Sequence, residues 1–226
     1  HGLDRIPSTL PSRRAGRGGL NRAQTVRRRV EDLLVGAGLA QAITYSFGDE
    51  NWPDRLRLPA DDERRRAVTI SNPLSLDQSR MRRLLLPGLL DTVRSNQAVR
   101  EYRVALFEVG RVFHPTGDVL PREETRVGII LAGDGKEDSW LVTERPVDYY
   151  LMKGLVERLE KGLRCRLDCA TPNETLPFLH PGKSALVRTA SGRHAGWLGE
   201  VHPLVLQEYD LRSPVVVAAE LDLDAL

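Results

Sequence analysis

A chain of 226 residues with 41% apolar side chains can bury a full core, enough for one large domain or two small ones. Its 33 basic and 31 acidic residues leave a net charge of +2, which gives no global attraction to nucleic acid or to an anionic membrane. No apolar run approaches the ~20 residues of a membrane span, and the opening His1-Gly2-Leu3-Asp4, with neither a starting methionine nor a signal-peptide core, reads as a piece cut from a longer protein.

Residues 1–20 read as a linker. Ile6-Pro7 and Leu10-Pro11 precede the basic, glycine-rich run Ser12 to Gly19, a composition that cannot pack a core. Helical periodicity follows: Val26, Val30, Leu33, Leu34 and Ala37 form one stripe, Asn21 with Gln24 resembles a capping box, and Gly36 and Gly38 can end the helix. Arg27 and Arg28 each precede an acid by four residues, Glu31 and Asp32, so the arginine run reads as a solvated helix face. Ile43, Tyr45 and Phe47 then alternate with Thr44 and Ser46, which predicts a half-buried strand. Residues 52–66 are polar and proline-bearing and read as a connecting loop. Val68 and Ile70 alternate again and lead into Ser71-Asn72-Pro73, where proline stops a ladder. A second helix is predicted from about Pro87, with Leu89, Leu90 and Val93 inward.

In Val104 to Val109, Val127 to Ala132 and Val215 to Ala219 both alternating faces are largely apolar, as in strands covered on both sides. Tyr149, Met152, Leu155, Val156, Leu159 and Leu163 mark a third amphipathic helix that supplies one cover. Cys165 and Cys169 lack the partners of a structural zinc site and read as small apolar fillers of one strand face, which makes a reducing, cytoplasmic compartment the default. Leu186 with Arg188, and Trp197 to Val201, predict further strands joined by the Ser191-Gly192 turn. Short strand-to-strand connections favour an α+β fold with a mainly antiparallel sheet flanked by helices over a βαβ repeat.

Asn72-Pro73-Leu74-Ser75, Met81-Arg82 and Leu85-Leu86-Pro87-Gly88-Leu89-Leu90 are similar in order to the "NPLS…LR..LLPGLL" signature of bacterial phenylalanyl-tRNA synthetase beta subunits. Leu106 to Phe113 resembles that family's "LFEIGRVF", Phe178 to Ala185 its "FLHPGRSA", and Gly196 to Pro203 its "G.LGELHP"; His1 to Pro7 looks like the tail of the small domain that precedes them. The resemblance spans nearly the whole chain. It implies that residues 1–20 are a linker with that tail and that residues 21–226 form a class II aminoacyl-tRNA synthetase-like core, catalytically degenerate.

The resemblance further implies a cytoplasmic alpha-two beta-two ligase for tRNA(Phe), in which the alpha subunit holds the active site and binds ATP and magnesium. For this chain it implies no catalytic residue, no metal, no cofactor of its own and no membrane. The class's first motif makes subunit contacts, which points to Val30, Leu34, Asn72, Pro73, Leu74, Ser75 and Arg82 as interface residues. The other motif positions are expected to be structural: Phe107, Glu108, Gly110, Arg111, His180, Pro181, Gly182, Gly199, Glu200, His202 and Pro203. His114 stands where the catalytic alpha chains tend to carry an arginine, and no Gly-x-Gly-x-x-Arg motif follows towards the C-terminus; the lookalike from Gly16 to Arg22 lies in the linker. Fixed cations aimed at developing charge are a large catalytic term, so their absence argues against adenylate formation.

Glu108, an acid in an apolar strand, reads as a buried carboxylate paired with an arginine such as Arg111, or as a leftover substrate-facing group. His114, His180 and His202 each precede proline and read as turn residues rather than a metal triad, and Asp222 with Asp224 as a strand's wet face. The rival functions are an active ATP-using ligase and an RNA-binding module built on Arg13, Arg14, Arg17, Arg22 and Arg27 to Arg29. No aromatic residues are interleaved with that basic stretch to stack on bases.

Overall fold

Asn21 and Gln24 close a reciprocal capping box, each side chain taking the other's backbone N–H, and helix α1 (Arg22–Val35) runs from it. The computed structural model describes residues 2–9, 18–73, 75, 78–133, 147–172 and 176–226. Gly16 and Arg17 of the Gly16 to Arg22 lookalike and most of the linker's basic run therefore lie outside the described residues, as does Leu74.

After α1 come β1 (Ala40–Gln41), β2 (Phe47–Gly48), the short α2 (Trp52–Arg55), β3 (Arg80–Met81) and α3 (Leu86–Ala98). The long strands β4 (Val104–His114) and β5 (Arg122–Ala132) form a hairpin, followed by α4 (Tyr149–Leu163), β6 (Leu167–Ala170), β7 (Leu179–Thr189), β8 (His194–Val201), α5 (Pro203–Glu208) and β9 (Val216–Asp222). They assemble a seven-stranded sheet in the order β1-β4-β5-β9-β8-β7-β6, in which only β1 and β4 run parallel. The expected α+β architecture is present.

Alternation explains why both strand faces are apolar. Val127, Ile129 and Leu131 of β5 pack with Val30 and Leu34 of α1 and with Met152, Val156 and Leu159 of α4. Ile130 and Ala132 point the other way, towards Leu86, Leu89, Leu90 and Val93 of α3 and towards α5. Gly128 lets α3 approach that face closely, since a Cβ there would sit 2.8 Å from Leu89 Cδ1 and 3.0 Å from Leu85 Cβ.

Two expectations are corrected. Ile43 and Tyr45 do not belong to a half-buried strand: they are 90% and 74% exposed, and only Phe47–Gly48 pairs, with β3. The alternation is real but inverted, because the inward residue is Thr44, drawn to a buried carboxylate. Nor is 52–66 a plain loop. Trp52, Leu56 and Leu58 are buried, so α2 and its flank form an anchored cap on the α3 side, followed by a 3-10 turn at Glu63–Arg65.

Gly196 marks where the sheet is least tolerant. Its φ is +147°, and a Cβ there would lie 2.0 Å from the Glu220 carbonyl oxygen of the adjacent strand. Gly196→Ala is expected to destabilise the fold by roughly 3 kcal/mol or more, from strain and overpacking together. Gly154, in α4 with open space around its Cα, provides the contrast: Gly154→Ala should stabilise by about 0.5–1 kcal/mol. Urea unfolding midpoints of both variants check the opposite signs.

Candidate functional site

The family-like stretches, distant in sequence, meet in pairs. Arg82, just after β3, bridges two segments: its backbone N–H donates to Ser46 O just before β2, and its carbonyl accepts from Phe113 N–H in the second half of β4. Its Nη1 lies 2.7 Å from Glu108 Oε1, and its Nε donates to Arg111 O at 2.7 Å. Thr44 Oγ1 donates to Glu108 Oε2 at 2.7 Å and accepts from Arg82 Nη1 at 3.0 Å. The motif glycines make room for this node: a Cβ at Gly110 would sit 2.2 Å from Arg82 Nη2, and one at Gly88 would sit 2.7 Å from Thr44 Oγ1.

Glu108 is thus a buried, ion-paired acid, but its partner is Arg82 and not Arg111. Positions three apart on a strand face opposite sides, so Arg111 points away from Glu108 and pairs with Glu123 in solvent. Phe107 sits on that other face, fully buried in the α1/α4 core.

The second pair of stretches joins β7 to β8. Lys183 Nζ donates to Glu200 Oε2 at 2.8 Å, and Gly199 leaves space where a Cβ would lie 2.8 Å from the Lys183 carbonyl. His180 Nδ1 accepts the Gly182 N–H, while His202 Nδ1 accepts the Leu204 N–H and caps α5, whose first residue is Pro203. Pro181 is exposed in β7, where the register with β8 shifts between Leu179 and Ser184. Both histidines act as acceptors of local backbone N–H groups, His202 at the start of α5 and His180 within β7 rather than in the expected turn. Among the described residues no group of three or more His, Cys, Asp or Glu side chains is arranged to hold a metal.

The sheet face beside β4 carries the third cluster. His114 Nε2 lies 3.0 Å from Glu124 Oε2, though without hydrogen-bond alignment. Arg126 lies between Glu124, at 2.8 Å, and Glu220, at 2.9 Å, while Arg122 adds a second cation to Glu124. A hollow of about 300 Å³ opens here, with Glu124, Glu220 and Asp222 against Arg126 and Arg193 among its charged lining groups. Arg193 is itself 3.4 Å from Asp222. Carboxylates match every lining guanidinium, so no free positive field faces the hollow. Asp222 is half-buried within β9 and not on a plain wet face, and burial pushes its carboxyl up; Asp224 accepts the Thr125 N–H.

A larger groove of about 640 Å³ lies outside the Arg82 node, between the 43–48 segment and α3. Tyr45 and Phe47 stack at its rim with ring centroids 5.3 Å apart, next to the exposed Ile43. Its arginines are engaged too: Arg55 and Arg94 with Asp91, Arg80 with Glu50 and Arg82 with Glu108, while the buried Arg83 donates to the Arg66 carbonyl. Of the expected interface set, Asn72 and Ser75 are exposed and Pro73 is half-buried. Val30 and Leu34 are 0% and 1% exposed in the chain's own core and are not available to another subunit, because the apolar stripe of α1 already faces the sheet. Arg82 is likewise held within the chain. Ile43 and Tyr45, which the alternation of the sequence places inward, instead stand exposed where they line this groove.

The sequence matches the family of the phenylalanyl tRNA synthetase beta chain CLM domain over residues 6–223. A protein of Moorella thermoacetica named phenylalanine–tRNA ligase beta subunit is 40% identical over 226 residues, covering 100% of this chain and 28% of that protein. One of the same name from Syntrophotalea carbinolica is 40% identical over 229 residues, covering 99% and 28%, and one from Symbiobacterium thermophilum 37% over 218 residues, covering 96% and 24%. The chain thus spans about a quarter of the length of the curated relatives it matches.

Two outcomes test the polar clusters. Arg82→Ala leaves Glu108 buried without its cation and is expected to destabilise by about 3–5 kcal/mol, with a smaller loss in the Arg82→Met, Glu108→Leu double variant; denaturant titration of the set checks this. Burial, opposed by Glu124 and reinforced by Arg83, Arg126 and Arg122, holds the His114 imidazole below its ordinary 6.5. The unfolded chain then binds more protons than the folded one between the depressed value and 6.5, so stability falls as pH drops through that window. His114→Gln should flatten that part of a pH–stability curve, leaving the slope from the less buried His202, which is also lowered by burial, Arg57 and His180.

Proposed function

Because the chain belongs to the phenylalanyl-tRNA synthetase beta chain family, we propose that it is the non-catalytic core of a phenylalanine–tRNA ligase beta subunit, docking the catalytic alpha subunit in an alpha-two beta-two cytoplasmic enzyme that charges tRNA(Phe). One observation carries this reading. The motif side chains and cations that could serve chemistry are held by contacts inside the chain, whereas Ile43 and Tyr45 stand out in solvent beside an open groove. Arginines tied to fixed carboxylates are poorly placed to meet the charge that develops on a phosphate. In this reading ATP and magnesium are bound by the alpha subunit, and this core uses no cofactor.

The docking face is then the rim Ile43, Tyr45 and Phe47 with the exposed Asn72 and Ser75, and it replaces the inward stripe of α1. An RNA-binding role for α1 is less well supported: Arg27 is bonded to Glu31 at 2.9 Å, and no aromatic side chains punctuate the arginine run to stack on bases. Substituting Ile43→Asp and Tyr45→Asp together is expected to lower co-purification of the alpha subunit by at least about tenfold, as loss of interface anchors does, without changing the fold, since both residues are exposed. Unchanged assembly of a folded variant would refute this docking face. Magnesium-dependent ATP–pyrophosphate exchange by the beta subunit alone would refute the non-catalytic reading.

A further inference from the structure

Helix α3 starts without a cap of its own. The residue before it, Leu85, is helical and has no side-chain acceptor, although the first N–H groups of a helix need partners. The acceptor comes from the far end of the chain. Glu220, in β9, takes the Leu85 N–H at 2.9 Å and the Leu86 N–H at 3.3 Å on Oε2, and its Oε1 accepts from Arg126 Nη1 at 2.9 Å.

Glu220 is 1% exposed and is the only acid in the buried run from Val216 to Leu221. A carboxylate there is unfavourable unless it is paired and hydrogen-bonded, so its presence needs a reason other than solubility. Its main chain is fixed from the opposite side, where Gly196 has no Cβ and β8 passes against the Glu220 carbonyl. Two backbone N–H groups and a guanidinium converging on one carboxylate form the arrangement with which proteins hold external oxyanions.

We propose that Glu220 is a resident anion: it occupies an oxyanion cradle formed by the α3 N-terminus and Arg126, latching α3 onto the sheet. The latch couples the family-like Leu-Leu-Pro-Gly stretch to the last strand, 135 residues away in sequence. It is independent of the docking face proposed above, and neither depends on the other.

The test is hydrogen–deuterium exchange of the segment from Leu84 to Leu90 in the whole protein that carries this chain. In Glu220→Ala, exchange there should rise by at least about fivefold, as expected for loss of a helix cap. Millimolar formate or acetate should restore protection in this variant by entering the vacated space, while chloride at equal ionic strength should not. Glu220→Gln, which keeps the shape but not the charge, should exchange faster than the natural chain and should not respond to formate; it carries the test if the alanine variant does not fold. Natural protection in the folded variants, or rescue by chloride equal to that by formate, would overturn the latch.

Discussion

A sheet covered by helices on both faces leaves its inner acids without water, and each must find a cation or a backbone donor within the chain. Glu108, Glu200 and Glu220 are all nearly buried, and Arg82, Lys183 and Arg126 stand 2.7–2.9 Å from them. Removing water raises the cost of an unmatched charge more than it rewards a matched one. The pairs are therefore better understood as constraints on which packing is permitted than as sources of net stability. Each fixes one relation: Arg82 fixes the β3 exit against β4, Lys183 fixes β7 against β8, and Arg126 with Glu220 fixes β5 and β9 against α3.

These constraints explain why the family-like stretches occur together. A glycine at 110 is useful only if a guanidinium lies over it, and the guanidinium is tolerated only if Glu108 is beneath. Thr44 serves the same carboxylate and needs Gly88 to be small. The motifs are thus two halves of shared contacts, and positions that look like remnants of an active site have complete structural explanations. His180 and His202 follow the same logic as acceptors for backbone N–H groups two residues on.

Much of this fold was legible in the sequence because periodicity reports burial directly. The capping box at Asn21, the two-faced apolar strands and the stripe of α4 each predicted the element that formed. What was not legible was which side of an alternating segment would face inward. Ile43, Tyr45 and Phe47 are the greasier set, yet Thr44 is the inward residue because a buried carboxylate competes for it. The partner of Glu108 differs from the expected one for a related reason: proximity in sequence favours Arg111, whereas strand geometry excludes it at a separation of three. The capping of α3 by Glu220 lay beyond any local pattern, since its partners are brought together only by the closed sheet.

Charge matching also separates scaffolding from catalysis. An arginine that stabilises a transition state must be held in position while its charge remains unsatisfied until the substrate arrives. Arg126 satisfies the first condition and fails the second, because Glu124 and Glu220 already flank it. A phosphate reaching that face would have to displace carboxylates that are part of the fold, so the free energy available for binding would be consumed in breaking the contacts that close the sheet. The same carboxylates that make this face rigid make it unreceptive to a phosphate.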